Sequence, residues 1–164
     1  MAYPVHAPRH GETDKGAVER ALVLEFAAHY RADVDITAIR SGDPRLREPD
    51  VITKSTESDA PIAFELVRLT GDDAATATDA LARKFDKARQ GLYSGVDDAV
   101  LELLVWSDRL AAPWDQVLQQ AAQRMAGHDG GFTRVWLWRR ADGVDPSSEG
   151  VWLWEAGRGL DRFD

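Results

Sequence analysis

The sequence predicts a mixed α/β fold (α+β in the order of its elements), a mixed sheet with helices packed on its faces. Three observations carry that expectation. Segments with apolar residues at helical spacing alternate with short apolar runs, and Gly, Pro and Asp clusters separate them. The run 61–69, PIAFELVRL, is apolar on both faces except at Glu65 and Arg68, the pattern of a central strand covered on both sides. The two late segments FTRVWLWRR and GVWLWEAG alternate with period two around a Gly- and Pro-containing turn. The predicted order is α-βββ-α-β-α-β-β.

Residues 1–12, with Pro4, Pro8 and Gly11, read as a flexible N-terminal arm. A single α/β domain is expected over 13–158, followed by a frayed C-terminal tail at 159–164. Thr13 or Asp14 caps a first helix running to Tyr30. Its apolar arc is wide, with Val18, Leu22, Val23 and Phe26 on one side and Ala17, Ala21, Leu24 and Ala28 on another, so the helix is mostly covered. Glu19 shares the angular position of Val23, Phe26 and Tyr30 and points inward; Glu25 also lies within the arc.

Val34, Ile36 and Ala38 alternate with polar neighbours and predict a first strand. A turn follows at 41–44. Residues 45–53 predict a second strand interrupted near Pro49, and 54–59 a polar turn. The third strand is 61–69. After Gly71-Asp72-Asp73, a helix carries Ala74, Ala77, Leu81, Phe85, Ala88 and Leu92 on one stripe, with Lys84 at its border. A strand is expected at 100–106. Pro113 opens another helix bearing Trp114, Val117, Leu118 and 121–125, which stops at 127–131.

Composition bounds the function. The chain has 164 residues, 44% hydrophobic and 29% charged, enough for a sizeable core. Its net charge of −8 argues against a broad basic nucleic-acid footprint, although a local basic rim or a divalent cation offsets that. No cysteine is present, which excludes disulfides and thiolate metal sites. No signal-like apolar core and no long apolar run occur, so a cytoplasmic location is the expectation. HExxH, Walker-type, dinucleotide-Gly and GxSxG motifs are all missing.

Asp50 and Glu65 are the residues with the most chemical content. In an antiparallel hairpin turning between Glu57 and Ser58, position 50 faces position 65. The two carboxylates then leave one face of the sheet about 5 Å apart at Cβ. So placed they repel, and a hard divalent cation such as Mg2+ or Mn2+ relieves the repulsion. Glu19, if its helix packs over this face, adds a third oxygen, and the Leu66 carbonyl a further one. A bound ion lowers the pKa of a water and accepts developing phosphate charge. The plainer reading stays open beside this one: Asp50 as a turn residue next to Pro49, and Glu65 as an edge-facing or salt-bridged carboxylate. A slip of one residue in register separates the two acids.

Glu19 on the first helix, Pro49-Asp50 on one strand and Glu65-Leu66-Val67 on the next resemble the PD-(D/E)XK, or restriction-endonuclease-like, nuclease superfamily. The resemblance covers roughly residues 13–106 and rests on a short, degenerate motif and on the order of elements. It implies an α-βββ-α-β core, with the later helix and two strands as an addition. It implies Mg2+- or Mn2+-dependent hydrolysis of DNA or RNA phosphodiesters. Asp50 and Glu65, with Glu19, are then the metal ligands, and Glu19, Asp50, Glu65 and Lys84 the catalytic set. The family's lysine stands two residues after the second acid, where this chain has Val67; Lys84 resembles the substitute that some members supply from the following helix. Arg68 points away from Glu65 by strand alternation. An inactive nuclease-like domain serving as a protein-binding or regulatory subunit is the alternative.

His6 and His10 lie in the arm, and a disordered pair is their default reading against a metal contact. Trp136, Trp138, Trp152 and Trp154 form W-x-W pairs, expected to cluster on one face. They are read as core, or as a surface for a homodimer, a protein partner or stacked bases, with Arg134, Arg139 and Arg140 adding local positive charge.

Overall fold

The structure is a computed structural model that describes residues 14–91, 93, 100–108, 110–127, 131–140 and 148–163. The arm at 1–12, with His6 and His10, lies outside the described residues, as do Leu92 and His128. The elements are α1 (Asp14–Tyr30), β1 (Arg40–Ser41), a 3-10 turn (Pro44–Leu46), β2 (Val51–Lys54), β3 (Pro61–Arg68), α2 (Ala74–Arg89), β4 (Val100–Ser107), α3 (Trp114–Ala126), β5 (Arg134–Arg139), β6 (Gly150–Glu155) and β7 (Gly159–Phe163). The seven strands form one mixed sheet in chain order. The chain divides into two compact units, Met1–Glu65 with Tyr93–Leu101, and Leu66–Leu92 with Glu102–Asp164. Among the described residues no helix is long and apolar enough to cross a membrane.

In the first unit, α1 buries Ala17, Leu22, Val23, Leu24, Phe26 and Ala27, the wide arc that its sequence predicts. Arg20 is buried with them and donates from Nη1 to Ser41 Oγ at 2.7 Å, tying α1 to β1. Arg31, just past the helix, pairs with Asp33 at 2.8 Å and lies over the Phe64 ring.

The first strand expected at 34–38 does not form. Val34 is buried and makes a single bridge to Ser55, but the Asp35 side chain then accepts from Thr37 N and Thr37 Oγ1 (2.9 and 2.6 Å) and turns the chain. Ile36, expected inside, is 41% exposed. The strand that pairs with β2 is instead the short β1. The second strand is also shorter than expected. Asp43 caps the 3-10 turn through Arg45 N at 2.9 Å, and Arg47 adopts a left-handed φ of 56°, so pairing starts only at Val51.

The β2–β3 hairpin has the register that the sequence predicts, with Val51 opposite Phe64, Ile52 opposite Ala63 and Lys54 opposite Pro61. Ser55 to Ala60 closes the polar turn through a 2.9 Å backbone bond.

In the second unit, Asp73 caps α2 by accepting from Thr76 N at 2.8 Å, and Ala74, Ala77, Leu81 and Phe85 are buried as the stripe predicts. Pro113 opens α3, which buries Trp114, Val117, Ala121 and Met125. Arg124 fastens α3 to α2 through Thr78 Oγ1 at 3.1 Å and Asp79 at 2.6 Å. Helix α3 joins β4 to β5, which pair in parallel, Glu102 opposite Arg134 and Ser107 opposite Arg139. Phe85 meets Phe132 and Trp154 edge-on, with ring centroids 5.3 and 5.7 Å away.

The tryptophans do not share a face. In the β5–β6 register, Leu137 faces Trp152 and Val135 faces Trp154, while Trp136 faces Leu153. Directly paired residues lie on the same side of a sheet, so Trp136 and Trp138 lie on one side and Trp152 and Trp154 on the other. Trp152 and Trp154 meet Trp114 and Phe85 from α3 and α2. Trp136 donates to Glu102 at 2.7 Å and abuts Phe163. Trp136, Trp138 and Trp154 are buried, which makes these three side chains core.

The segment expected as a frayed tail is β7, paired antiparallel with β6 over Val151–Phe163 to Glu155–Gly159. The addition after β4 is therefore a helix and three strands. Gly157 and Gly159, with φ of 82° and 78°, make the turn between β6 and β7.

Candidate functional site

Three acids from separate stretches of the first unit meet at one end of the β2–β3 hairpin. Asp50 stands just before β2, one residue beyond the last ladder pair, and Glu65 is buried in β3. The backbone N–H of Asp50 donates to Glu65 Oε2 at 3.2 Å, so the carboxylate of one strand caps the entry of the other. Glu19 reaches Asp50 from α1, and the two side chains share a hydrogen bond. A hydrogen bond between two carboxyl groups requires a proton between them.

The electrostatics follow from this placement. Glu19 has its pKa pushed up to about 8, by burial first, then by the charge of Asp50 and the hydrogen bond to it, and further by Glu65. Lys15 opposes the shift from 3.9 Å, but it is largely exposed and Glu19 is not, at 76% and 13% side-chain exposure. At neutral pH the Glu19–Asp50 pair thus holds a proton.

The backbone that presents Asp50 is tightly held. Gly42 N donates to Asp50 O at 3.0 Å. A Cβ built on Gly42 falls 1.7 Å from the Pro49 carbonyl oxygen, so only glycine allows this approach. Glu48 braces the same loop by accepting from Asp43 N at 2.8 Å and from Arg40 at 3.0 Å. These bonds bring the chain into β2 with Asp50 aimed at its partners.

Tyr93 is the participant that the sequence reading missed. Its hydroxyl sits against Glu65, and its pKa is raised well above the ordinary phenol value by burial, then by the charges of Glu65 and Asp50. A lone tyrosine between glycines, in GLYSG, carries no periodic signal that could have marked it.

Among the described residues, no group of three or more His, Cys, Asp and Glu side chains is set as a ready cation site. The acids bond to one another and to Asp50 N–H. Their oxygens are hard donors, the class that Mg2+ and Mn2+ prefer. Lys84 belongs to the second unit, half-buried on α2. Val67 is the half-buried residue two positions after Glu65. Arg68 pairs with Asp108 at 3.0 Å and lies over Trp106. His29 is exposed and bonds to the Glu25 carbonyl at 2.9 Å.

Compared with known proteins, the chain matches no family model, no curated protein and no solved structure.

Proposed function

We propose that this chain is a divergent metal-dependent nuclease domain that hydrolyses phosphodiester bonds in DNA or RNA. The observation that carries the reading is the meeting of Glu19, Asp50 and Glu65, in which burial first and then the neighbouring carboxylates hold a proton that a divalent cation would replace. Asp50, Glu65 and Glu19 would hold Mg2+ or Mn2+. Once bound, the ion supplies an activated water and a counter-charge for the attacked phosphate. The element order α-βββ-α-β supports a restriction-endonuclease-like core.

Each residue has a part in this reading. Glu65 is fixed by the Asp50 N–H, so it offers its remaining lone pairs without reorganising. The Glu19–Asp50 pair releases its proton as the cation enters, which makes affinity rise with pH up to about 8. Tyr93 lies beside Glu65 in this reading. Val67 cannot supply the lysine of the motif, and the resemblance makes Lys84 the candidate to test for that role. A cytoplasmic location belongs to the same reading, in keeping with the lack of cysteine.

A second reading, a catalytically inactive nuclease-like domain acting as a protein-binding or regulatory subunit, draws on two observations. Valine occupies position 67, and no ready cation site is set among the described residues. Thermal unfolding with Mg2+ or Mn2+ at pH 8 separates the readings. The nuclease reading expects saturable stabilisation that disappears in Asp50→Ala, together with cleavage of plasmid, single-stranded DNA or RNA that is lost in Glu65→Ala and Lys84→Ala. Stabilisation without cleavage selects the inactive domain. If neither ion stabilises the protein, the nuclease reading is wrong.

A further inference from the structure

Residues 42–50 form a loop of the first unit whose ends meet at Asp50: Gly42 N donates to Asp50 O at 3.0 Å. Between these ends the backbone is bonded to itself. Leu46 N and Glu48 N donate to Asp43 O at 3.0 and 3.2 Å, and Arg47 N donates to Pro44 O at 3.1 Å. The loop's two internal carboxylates are engaged within it, Asp43 with Arg45, and Glu48 with Arg40 and the Asp43 N–H. The loop therefore keeps one shape with none of Pro44, Arg45 and Leu46 buried.

That shape holds outward two side chains that a fold has no reason of its own to display. Leu46 is 61% exposed. Arg47 is exposed as well, and among the described residues its guanidinium makes neither an ion pair nor a hydrogen bond. Its backbone is left-handed, with φ of 56°, a conformation that costs a residue with a Cβ and that glycine adopts freely. Strain of this kind points to a role outside the fold. Residues 40–49 hold Arg40, Arg45 and Arg47 against Asp43 and Glu48, so Arg47 is the charge left over.

Position decides the partner. Leu46 stands four residues before Asp50, so their Cα atoms lie within about 14 Å of each other. A stacked nucleic-acid strand advances roughly 3.4 Å per nucleotide, so a strand bound at the acids has phosphates and bases within reach of the loop. Resting on the phosphodiester chemistry proposed for the acids, we infer that Leu46 and Arg47 hold the substrate, and that the substrate is an unpaired strand of nucleic acid. Arg47 pairs with a backbone phosphate a few nucleotides from the one attacked, and Leu46 packs on the face of a base. Base faces are open in unpaired strands, whereas a duplex offers them only where it is kinked. One apolar side chain and one unpaired guanidinium make a contact narrower than duplex binding uses, in keeping with a net charge of −8.

Fluorescence anisotropy tests this with a labelled single-stranded oligonucleotide, as DNA and as RNA, and with the same strands annealed to their complements. The titrations run over a NaCl series with Ca2+ as the hard cation, and the strands are checked for cleavage afterwards. The single strand should bind more tightly than the duplex. Arg47→Gln should weaken binding about tenfold and lower the slope of log affinity against log salt by about 0.7, one phosphate contact fewer. Leu46→Ser should weaken it about fivefold and leave the slope unchanged, because only apolar burial is lost. Arg47→Gly should weaken binding as Arg47→Gln does, yet unfold at the same or a higher temperature, which a residue serving the fold alone would not do. Arg158→Gln, at an exposed arginine of the second unit, should bind as the parent does. The inference is overturned if no single strand binds, if the duplex binds more tightly, if either Arg47→Gln or Leu46→Ser binds as the parent does, or if Arg158→Gln weakens binding equally. The metal reading fails in a different measurement, the Mg2+ or Mn2+ stabilisation lost in Asp50→Ala, which the Leu46 and Arg47 variants should retain.

Discussion

Replacing Glu19 by glutamine should change the pH dependence of stability in a way that follows from the carboxylate cluster. In the folded protein Glu19 takes up its proton near pH 8, whereas its ordinary value is 4.5. Between those limits the folded state holds a proton that the unfolded state has lost. Raising the pH through that window therefore favours unfolding, and the contribution of Glu19 present at low pH is gone above about 8. A tenfold difference in proton affinity corresponds to about 1.4 kcal/mol; with allowance for water reaching the carboxyl and for Lys15 beside it, about 2 kcal/mol is the effect expected over the whole window. Glutamine is neutral throughout and nearly isosteric. Glu19→Gln should match the parent within about 0.5 kcal/mol at pH 4.5 and exceed it by about 2 kcal/mol at pH 8.5. Urea unfolding followed by tryptophan fluorescence, in half-unit steps from pH 4.5 to 9, measures the difference directly, and titrating groups away from the cluster cancel in it. A constant difference across the range would refute the shared proton. So would a parent that gains stability from pH 5 to 8 relative to the variant.

Three other perturbations test the packing of the two units. Gly42→Ala places a methyl group on the Pro49 carbonyl, so the loop before Asp50 must move; a loss of more than about 2 kcal/mol in urea unfolding is expected, and any Mg2+-dependent stabilisation should fall with it. Phe85→Ala removes a fully buried ring packed edge-on against Phe132 and Trp154, and should cost about 3–5 kcal/mol by the same measurement. Trp136→Phe keeps the ring but removes the 2.7 Å donor to the buried Glu102 carboxylate; a loss of about 1–3 kcal/mol is expected, and no loss would show that the bond does not matter to stability.

The sequence by itself determined the elements whose signals are local and strong. Helices α1, α2 and α3 follow from apolar spacing together with Asp73 and Pro113 at their starts, and β3 follows from an apolar run too short for a helix. The meeting of Asp50 with Glu65 was also legible, because a hairpin with a short polar turn fixes its register and the register fixes the face. Elsewhere the local pattern was ambiguous and tertiary contacts decided. Alternation at 34–38 reads as a strand, but the carboxylate of Asp35 competes for the Thr37 N–H and breaks the ladder after one bridge. The W-x-W pairs fix which residues share a face within each strand. They do not fix how β5 and β6 align, and the observed offset sends the pairs to opposite sides. The last strand is polar enough to read as a tail, and it forms because the exposed edge of β6 supplies its hydrogen bonds. The proton between Glu19 and Asp50, and Tyr93 against Glu65, were also decided in three dimensions. Proton affinity depends on burial and on charges a few ångströms away, and residues distant in sequence supply both.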